Sequence, residues 1–238
     1  MLSSRAQWLP NLGALSQFSR PVVVELFGHG RSPTPDDPAV LTPASYVEHF
    51  KRIRERLGVE RWLVCGQSLG ASLTIRYAIE RPERVIAHAF TNSNSALARP
   101  RTLRAGGSCG RLEALAARGR ALIDEHPMNP ARNRRLPPAV REAFEQDMQL
   151  MTVEGYIALL RHTIPEAPMG HRLGENSVPA LLVVGERERR FAALREHAER
   201  TMPLLEVVGL EGGHAVNIDA AEGFNGALRE FFERHAGG

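Results

Sequence analysis

The stretch that decides the fold is WLVCGQSLG, residues 62–70. Its first four residues form a short apolar run, which is typical of a buried strand in a parallel sheet. The residues after Ser68 predict a helix from about Leu69 to Ile79, ending near Pro82. The G-x-S-x-G pattern of residues 66–70 therefore places a serine on a tight turn from strand to helix, with glycines that leave room for the turn.

Ser68 is the candidate nucleophile. The G-x-S-x-G pattern occurs by chance in many proteins, so the inference depends on the strand before it and the helix after it. The amino terminus of a helix favours negative charge, and the backbone N–H of Leu69 is placed to bind an oxyanion. The alternative is a plain strand–helix turn in which Ser68 only caps the helix.

His214 is the candidate base, because a nucleophilic serine needs a base within hydrogen-bond reach. It ends the sequence EGGH, residues 211–214, between the last predicted strand and the last helix. On its own it would be interpreted as a surface histidine. The other eight histidines have no comparable placement and are interpreted as structural or surface residues: His29, His49, His88, His126, His162, His171, His197 and His235.

The third member of the site must orient and stabilise the imidazolium. We predict Glu188, which lies a few residues after the apolar run 180–184, and Glu186 is the alternative. Both could also be solvated charges in an arginine-rich loop. The segment TNSN, residues 91–94, is the other candidate position and contains no carboxylate, which strengthens Glu188.

Apolar runs alternate with helical patterns along most of the chain, which predicts an α/β fold with a mostly parallel sheet covered by helices on both faces. The predicted strands cover residues 22–27, 62–65, 85–90, 180–184 and 204–208. Asp219 and Glu222 have capping-box spacing at the start of the last helix.

The alternation stops within residues 96–175, which are rich in arginine and alanine. We interpret this stretch as a helical cap subdomain, inserted between two core segments, 1–95 and 176–238. It would cover the carboxyl ends of the strands, where open α/β sheets bind ligands. Met148, Met151 and Tyr156 would line the substrate pocket, although ordinary helix packing also explains them.

The composition excludes several classes of protein. Of the 238 residues, 43% are hydrophobic and 24% charged, as in ordinary globular proteins. The formal charge is +3 and the pI about 9.3, but no compact basic run supports nucleic-acid binding. Cys65 is expected to be a buried free thiol, and it forms no disulfide framework with Cys109. Neither a metal cluster nor a phosphate-binding loop emerges, so no cofactor is expected.

No stretch is long and apolar enough to suggest a membrane span, and no signal-peptide pattern opens the chain. We therefore expect a cytoplasmic protein that acts on a small-molecule substrate. The sequence leaves the oligomeric state open.

The chain resembles the α/β-hydrolase superfamily over nearly its whole length. The matching segments are ELFGHGRS at 25–32, GQSLGA at 66–71, RPERV at 81–85, PALLVVGERE at 179–188 and GGHAVNIDAAEGFNGALREFF at 212–232. The resemblance implies an α/β-hydrolase fold and a triad of Ser68, Glu188 and His214, although the family usually has Asp at the position of Glu188. A serine rather than an aspartate at position 68 argues against the haloalkane dehalogenase and epoxide hydrolase branches.

Within the superfamily, the chain is similar to small-molecule esterases and to the succinyl-hydroxycyclohexadiene-carboxylate synthase-like group. The resemblance implies hydrolysis of an ester or thioester of a small, partly apolar acid through an acyl-enzyme. One alternative is carbon–carbon bond chemistry with the same triad. A second is a poorly active ligand-binding module.

The start of the chain departs from this resemblance. In the superfamily, the second oxyanion donor comes from a loop that precedes the first helix and usually carries a His-Gly pair. Here MLSSRAQW, residues 1–8, already enters that helix. We therefore expect an N-terminally truncated version of a longer protein, with the first strands missing and a sheet edge left open. The alternative is a natural short form with a weakened oxyanion hole.

Overall fold

A four-stranded parallel sheet forms the centre of the computed structural model, which describes residues 2–99, 113, 115 and 117–237. The strands lie in the order β1-β2-β3-β4, with every neighbouring pair parallel. Their bounds are Trp62–Gly66 (β1), Val85–Thr91 (β2), Ala180–Gly185 (β3) and Leu205–Leu210 (β4). All four were predicted from the sequence to within two residues at either end.

Helices cover both faces of this sheet. In the described residues they are Leu9–Leu15 (α1), Pro43–Arg56 (α2), Leu69–Glu80 (α3), Asn94–Leu97 (α4), Arg120–Asp124 (α5), Pro138–Leu150 (α6), Val153–Ala158 (α7), Ala192–Thr201 (α8), Val216–Asp219 (α9) and Ala221–Ala236 (α10). A 3-10 turn, Arg5–Trp8, precedes α1, and a π-helical turn, Leu159–Thr163, follows α7.

The alternation of side chains along β3 shows why this strand is apolar throughout. Leu182 and Val184 pack against α3 and α8 on one face of the sheet. Leu181 and Val183 pack against Phe224, Leu228 and Phe231 of α10 on the other face. Because both faces are covered, every residue of β3 is buried. The two cores hold the strand ends, and with them the loops that follow, in fixed positions.

The predicted capping box at α10 is wrong. Helix α10 begins at Ala221, and no side chain caps its first turn. Asp219 belongs to the preceding short helix α9, so its carboxylate faces another loop. There it accepts a hydrogen bond from the backbone N–H of Gly213 at 2.7 Å and forms an ion pair with Arg187 at 3.1 Å.

The predicted strand at residues 22–27 is also wrong. In the described structure these residues form no strand and belong to no sheet, and β1 pairs only with β2. Val22 is 48% exposed and Val24 is 38% exposed, although a buried strand was expected. The physical reason is that a strand needs a neighbour for its backbone groups, and a groove separates this segment from β1.

Within the range predicted to be a helical cap, the described residues form helices and turns and no strand. Their division from the core at residues 96 and 175 stays a prediction. Cys109 lies outside the described residues, and Cys65 is a partly buried free thiol. In the part of the chain that the structure describes, no helix has the length and apolar character that crossing a bilayer requires.

Candidate active site

Ser68 lies in a strained turn between β1 and α3. Its backbone has φ 53° and ψ −116°, which is unusual for a residue other than glycine. A Cβ atom at position 66 would lie 2.3 Å from the carbonyl oxygen of Gly70, so the turn requires Gly66. A Cβ at position 70 would meet nothing within 4 Å, so only the first of the two glycines is needed for space.

The structure brings the three sequence-predicted polar residues into one hydrogen-bonded row. The Nε2 atom of His214 lies 3.1 Å from the Oγ atom of Ser68, although 146 residues separate them. The Nδ1 atom of the same ring lies 3.2 Å from Oε2 of Glu188. In this order, the imidazole can accept the serine proton while the carboxylate orients the imidazole ring.

Two asparagines that sequence analysis missed hold the carboxylate of Glu188. The amide of Asn94 donates to Oε1 at 2.8 Å, and the amide of Asn92 donates to Oε2. Asn92 is itself fixed, because its Oδ1 atom accepts a hydrogen bond from the backbone N–H of Gly185 at 3.1 Å. The signal that could have found them is position: both follow β2, whose neighbour β3 leads to Glu188.

Glu186, the alternative acid, lies away from the imidazole. Its side chain is exposed and lies beside Gly209. A Cβ atom added at position 209 would lie 2.4 Å from Oε1 of Glu186. Its backbone N–H donates to the carbonyl of Leu210, which continues the ladder between β3 and β4. Of the two glutamates, the structure places only Glu188 against His214.

The loop that carries His214 is held on three sides. Gln67, the residue before Ser68, donates from Nε2 to the carbonyl of His214 at 3.2 Å. Asp219 binds the N–H of Gly213. On the third side, a Cβ at position 185 would lie 2.1 Å from the carbonyl oxygen of Gly213, so the loop lies directly on the end of β3. The imidazole is therefore placed by several contacts.

The backbone N–H of Leu69 is an available donor beside Ser68. The N–H groups of the next two residues bond to the carbonyls of Gln67 and Ser68, whereas that of Leu69 has no partner among the described residues. It lies in the first turn of α3, where partial positive charge accumulates. This position suits an oxyanion donor.

The residues that were predicted to line the substrate pocket do not border the cavity beside Ser68. Met148, Met151 and Tyr156 are at most 3% exposed and pack with Leu69 and Leu2 in one apolar cluster. They do not border the cavity that opens beside Ser68, whose volume is about 490 Å³. Their role as substrate contacts stays a prediction.

Comparison with known proteins identifies the class. The profile of the alpha/beta hydrolase fold family matches residues 19–221, so the chain belongs to that family, as its sequence motifs predicted. It is 25% identical over 241 residues to carboxylesterase YbfK of Bacillus subtilis, a match that covers 97% of this chain and 77% of the relative.

Two further matches agree with this family. The putative carbamate hydrolase RutD of Klebsiella pneumoniae is 26% identical over 240 residues, which covers 94% of this chain and 85% of that protein. The structure of MenH from S. aureus superimposes with a TM-score of 0.81 at 16% identity, covering 99% of this chain and 91% of that one. At that identity the likeness concerns the fold alone.

Proposed function

We propose that this protein is a serine hydrolase that cleaves an ester or thioester of a small, partly apolar acid through an acyl-enzyme. The observation that carries the proposal is the row Ser68–His214–Glu188, with contacts of 3.1 Å and 3.2 Å and a strained backbone at the serine. The distant similarity to a carboxylesterase supports an ester as the substrate.

In the first half of the reaction, Nε2 of His214 takes the proton of Ser68 as Oγ bonds to the carbonyl carbon. The carbonyl oxygen becomes an oxyanion, to which the N–H of Leu69 donates. The bond from carbon to the leaving oxygen or sulfur then breaks, and His214 gives its proton to the departing alcohol or thiol. The acyl group remains on Ser68.

In the second half, water replaces the alcohol or thiol. His214 takes a proton from the water molecule as the water oxygen bonds to the acyl carbon. The ester bond between the acyl carbon and Oγ of Ser68 then breaks. His214 returns the proton to Oγ, and the acid leaves. Glu188 accepts the hydrogen bond from Nδ1–H throughout, which fixes the tautomer that leaves Nε2 free as the base.

The two asparagines explain how a glutamate serves where the family usually has an aspartate. Glutamate has one more methylene group and therefore one more rotatable bond to hold. Asn92 and Asn94 each donate to one carboxylate oxygen, so both oxygens are fixed before the imidazole is charged. The longer side chain is thereby restrained as a shorter one would be.

Carbon–carbon bond cleavage of an anionic diketone is less well supported, because it requires a cation beside Ser68 to bind the substrate carboxylate. The arginines that border the cavity in the described part of the chain are Arg20 and Arg61. Arg61 precedes β1 and Ser68 follows it, so the strand sets them roughly 17 Å apart at 3.3 Å per residue. The ester reaction needs no such cation.

A fluorophosphonate probe and a panel of p-nitrophenyl esters test the proposal. The wild-type protein should be labelled once per chain and should hydrolyse short acyl esters faster than anionic diketones. Ser68→Ala should lose both activities, whereas Ser16→Ala, which removes an exposed hydroxyl in another part of the chain, should keep them. Full labelling of Ser68→Ala would refute the assignment.

A further inference from the structure

A buried network of amide side chains joins helix α1 and the turn before it to helix α9, which begins two residues after His214. Asn11 of α1 and Asn217 of α9 are both fully buried, and Gln7 in the turn is 7% exposed. The proposed reaction uses none of these amides. A polar network at such depth needs a physical reason, because each buried polar group must find a partner inside the protein.

Asn217 makes four hydrogen bonds in this network. Its Oδ1 atom accepts from Nε2 of Gln7 at 2.8 Å, and its Nδ2 atom donates to the carbonyl of Gln7 at 2.7 Å and to Oδ1 of Asn11 at 3.1 Å. Its backbone carbonyl accepts from Nδ2 of Asn11 at 2.8 Å, and the same Nδ2 donates to Oδ1 of Asn225 at 2.9 Å. A buried network with all these partners in place fixes the elements that it joins, because a shift would leave buried polar groups without partners.

Helix α9 connects this network to the loop that carries His214. Two residues after Asn217, the carboxylate of Asp219 accepts the backbone N–H of Gly213, the residue before His214, at 2.7 Å. The helix has only four residues and is closed by backbone bonds to the carbonyl of Ala215. A helix this short has little stability of its own, so its position depends on what anchors its side chains. Asn217 anchors it on α1, and Asp219 passes the position on to the base loop.

We propose that Asn217 is a positioning residue for the base: by tying α9 to α1, it holds the imidazole of His214 at the distance from Ser68 that proton transfer requires. This inference rests on the proposed function, because it concerns the same reaction. The two side chains lie 3.1 Å apart, and a displacement of about 1 Å can cost about a hundredfold in rate. Loss of the network should therefore slow the chemical step and leave substrate binding, which needs no base, unchanged.

Asn217→Asp tests this role with the smallest change, because it keeps the size of the side chain and exchanges the NH2 group for an oxygen. That oxygen would face two acceptors, the carbonyl of Gln7 and Oδ1 of Asn11, so α9 should move. We expect the rate constant for fluorophosphonate labelling of Ser68, and kcat for a p-nitrophenyl ester, to fall about 10- to 100-fold at unchanged KM. The downfield proton resonance of Nδ1–H of His214 should shift as well. All measurements are made where circular dichroism shows a fully folded protein.

Asn176→Asp is the matched control, because it makes the same chemical change in another buried asparagine. Asn176 is 4% exposed, and its Nδ2 atom donates to the carbonyls of Val178 and Pro203, both at 2.7 Å. It precedes β3 and therefore lies at the end of the sheet opposite to the candidate site. This variant should also unfold at a lower temperature, but the labelling rate of the folded protein should be unchanged.

A second variant covers the case in which Asn217→Asp does not fold. Asn11→Ala removes three bonds of the network but leaves both bonds between the side chain of Asn217 and Gln7, so it should show the same fall in kcat at unchanged KM, of smaller size.

The outcomes separate this inference from the proposed function. If the wild-type protein is not labelled at Ser68, the proposed function fails, and this inference fails with it. If the wild-type protein is labelled and the folded Asn217 and Asn11 variants react at the wild-type rate, the network serves stability alone and this inference is wrong. An equal loss of labelling in folded Asn176→Asp would also overturn it, because a general loosening of the fold would then explain the effect.

Discussion

Replacing Glu188 by glutamine changes one oxygen of the carboxylate to an NH2 group. Three donors converge on this carboxylate: Nδ1–H of His214 and the amides of Asn92 and Asn94. Glutamine offers a single oxygen, so whichever way its amide turns, an NH2 group faces at least one donor. The imidazole then loses its charged partner or its orientation. For a comparable acid-to-amide change in a serine protease, turnover falls about 10⁴-fold.

We therefore expect Glu188→Gln to lower kcat/KM for a p-nitrophenyl ester by roughly 10³- to 10⁴-fold, which corresponds to about 4 to 5.5 kcal/mol of transition-state stabilisation. Glu186→Gln is the matched control, because it makes the same chemical change two residues away on an exposed side chain, and it should change the rate less than about threefold. Thermal unfolding of both variants checks that the fold is intact. An equal or larger loss in Glu186→Gln would refute the assignment of the acid.

Three further predictions concern neighbouring parts of the structure. Asn94→Ala removes one charge-assisted hydrogen bond, worth about 1.5 to 3 kcal/mol, and should lower kcat/KM by roughly 10- to 100-fold without changing fluorophosphonate labelling at saturation. Gly185→Ala should push away the loop that carries His214, so kcat should fall sharply while a crystal structure shows that loop displaced. His88 is fully buried, and burial lowers its pKa to about 4 from an ordinary value of 6.5. Between these values the unfolded chain binds the extra proton, so stability falls as the pH falls. Urea unfolding should show a loss of about 3 kcal/mol from this group between about pH 7 and pH 4, and the loss should be absent in His88→Gln.

The sheet was predictable where each strand has its own boundary signals. The runs that became β1 and β3 are apolar, short and followed by glycine, and both faces are covered in the structure. Residues 22–27 carry the same local signal, yet they form no strand, because pairing depends on a neighbour that a local pattern does not reveal. The capping box failed for a related reason: the carboxylate of Asp219 has a competing partner, the N–H of Gly213.

The proximity of Ser68, Glu188 and His214 followed from spacing, because each residue comes shortly after a predicted strand and parallel strands end at one edge of the sheet. Asn92 and Asn94 occupy an equivalent position after β2, but the sequence argument requires a carboxylate at that position and so passes over two amides. Neutral amides carry no charge that marks them as functional. Their role became visible only when the distances to Glu188 were known.

Each of the four strands leads to one part of the candidate site. This arrangement affects when the site forms during folding. Ser68 follows β1, the two asparagines follow β2, Glu188 follows β3 and His214 follows β4. No pair of neighbouring strands contains the whole set, and parallel pairings between distant segments form slowly. During refolding, the helical circular dichroism signal should therefore recover first. Covalent labelling of Ser68 should recover later, at the rate of the slowest strand pairing.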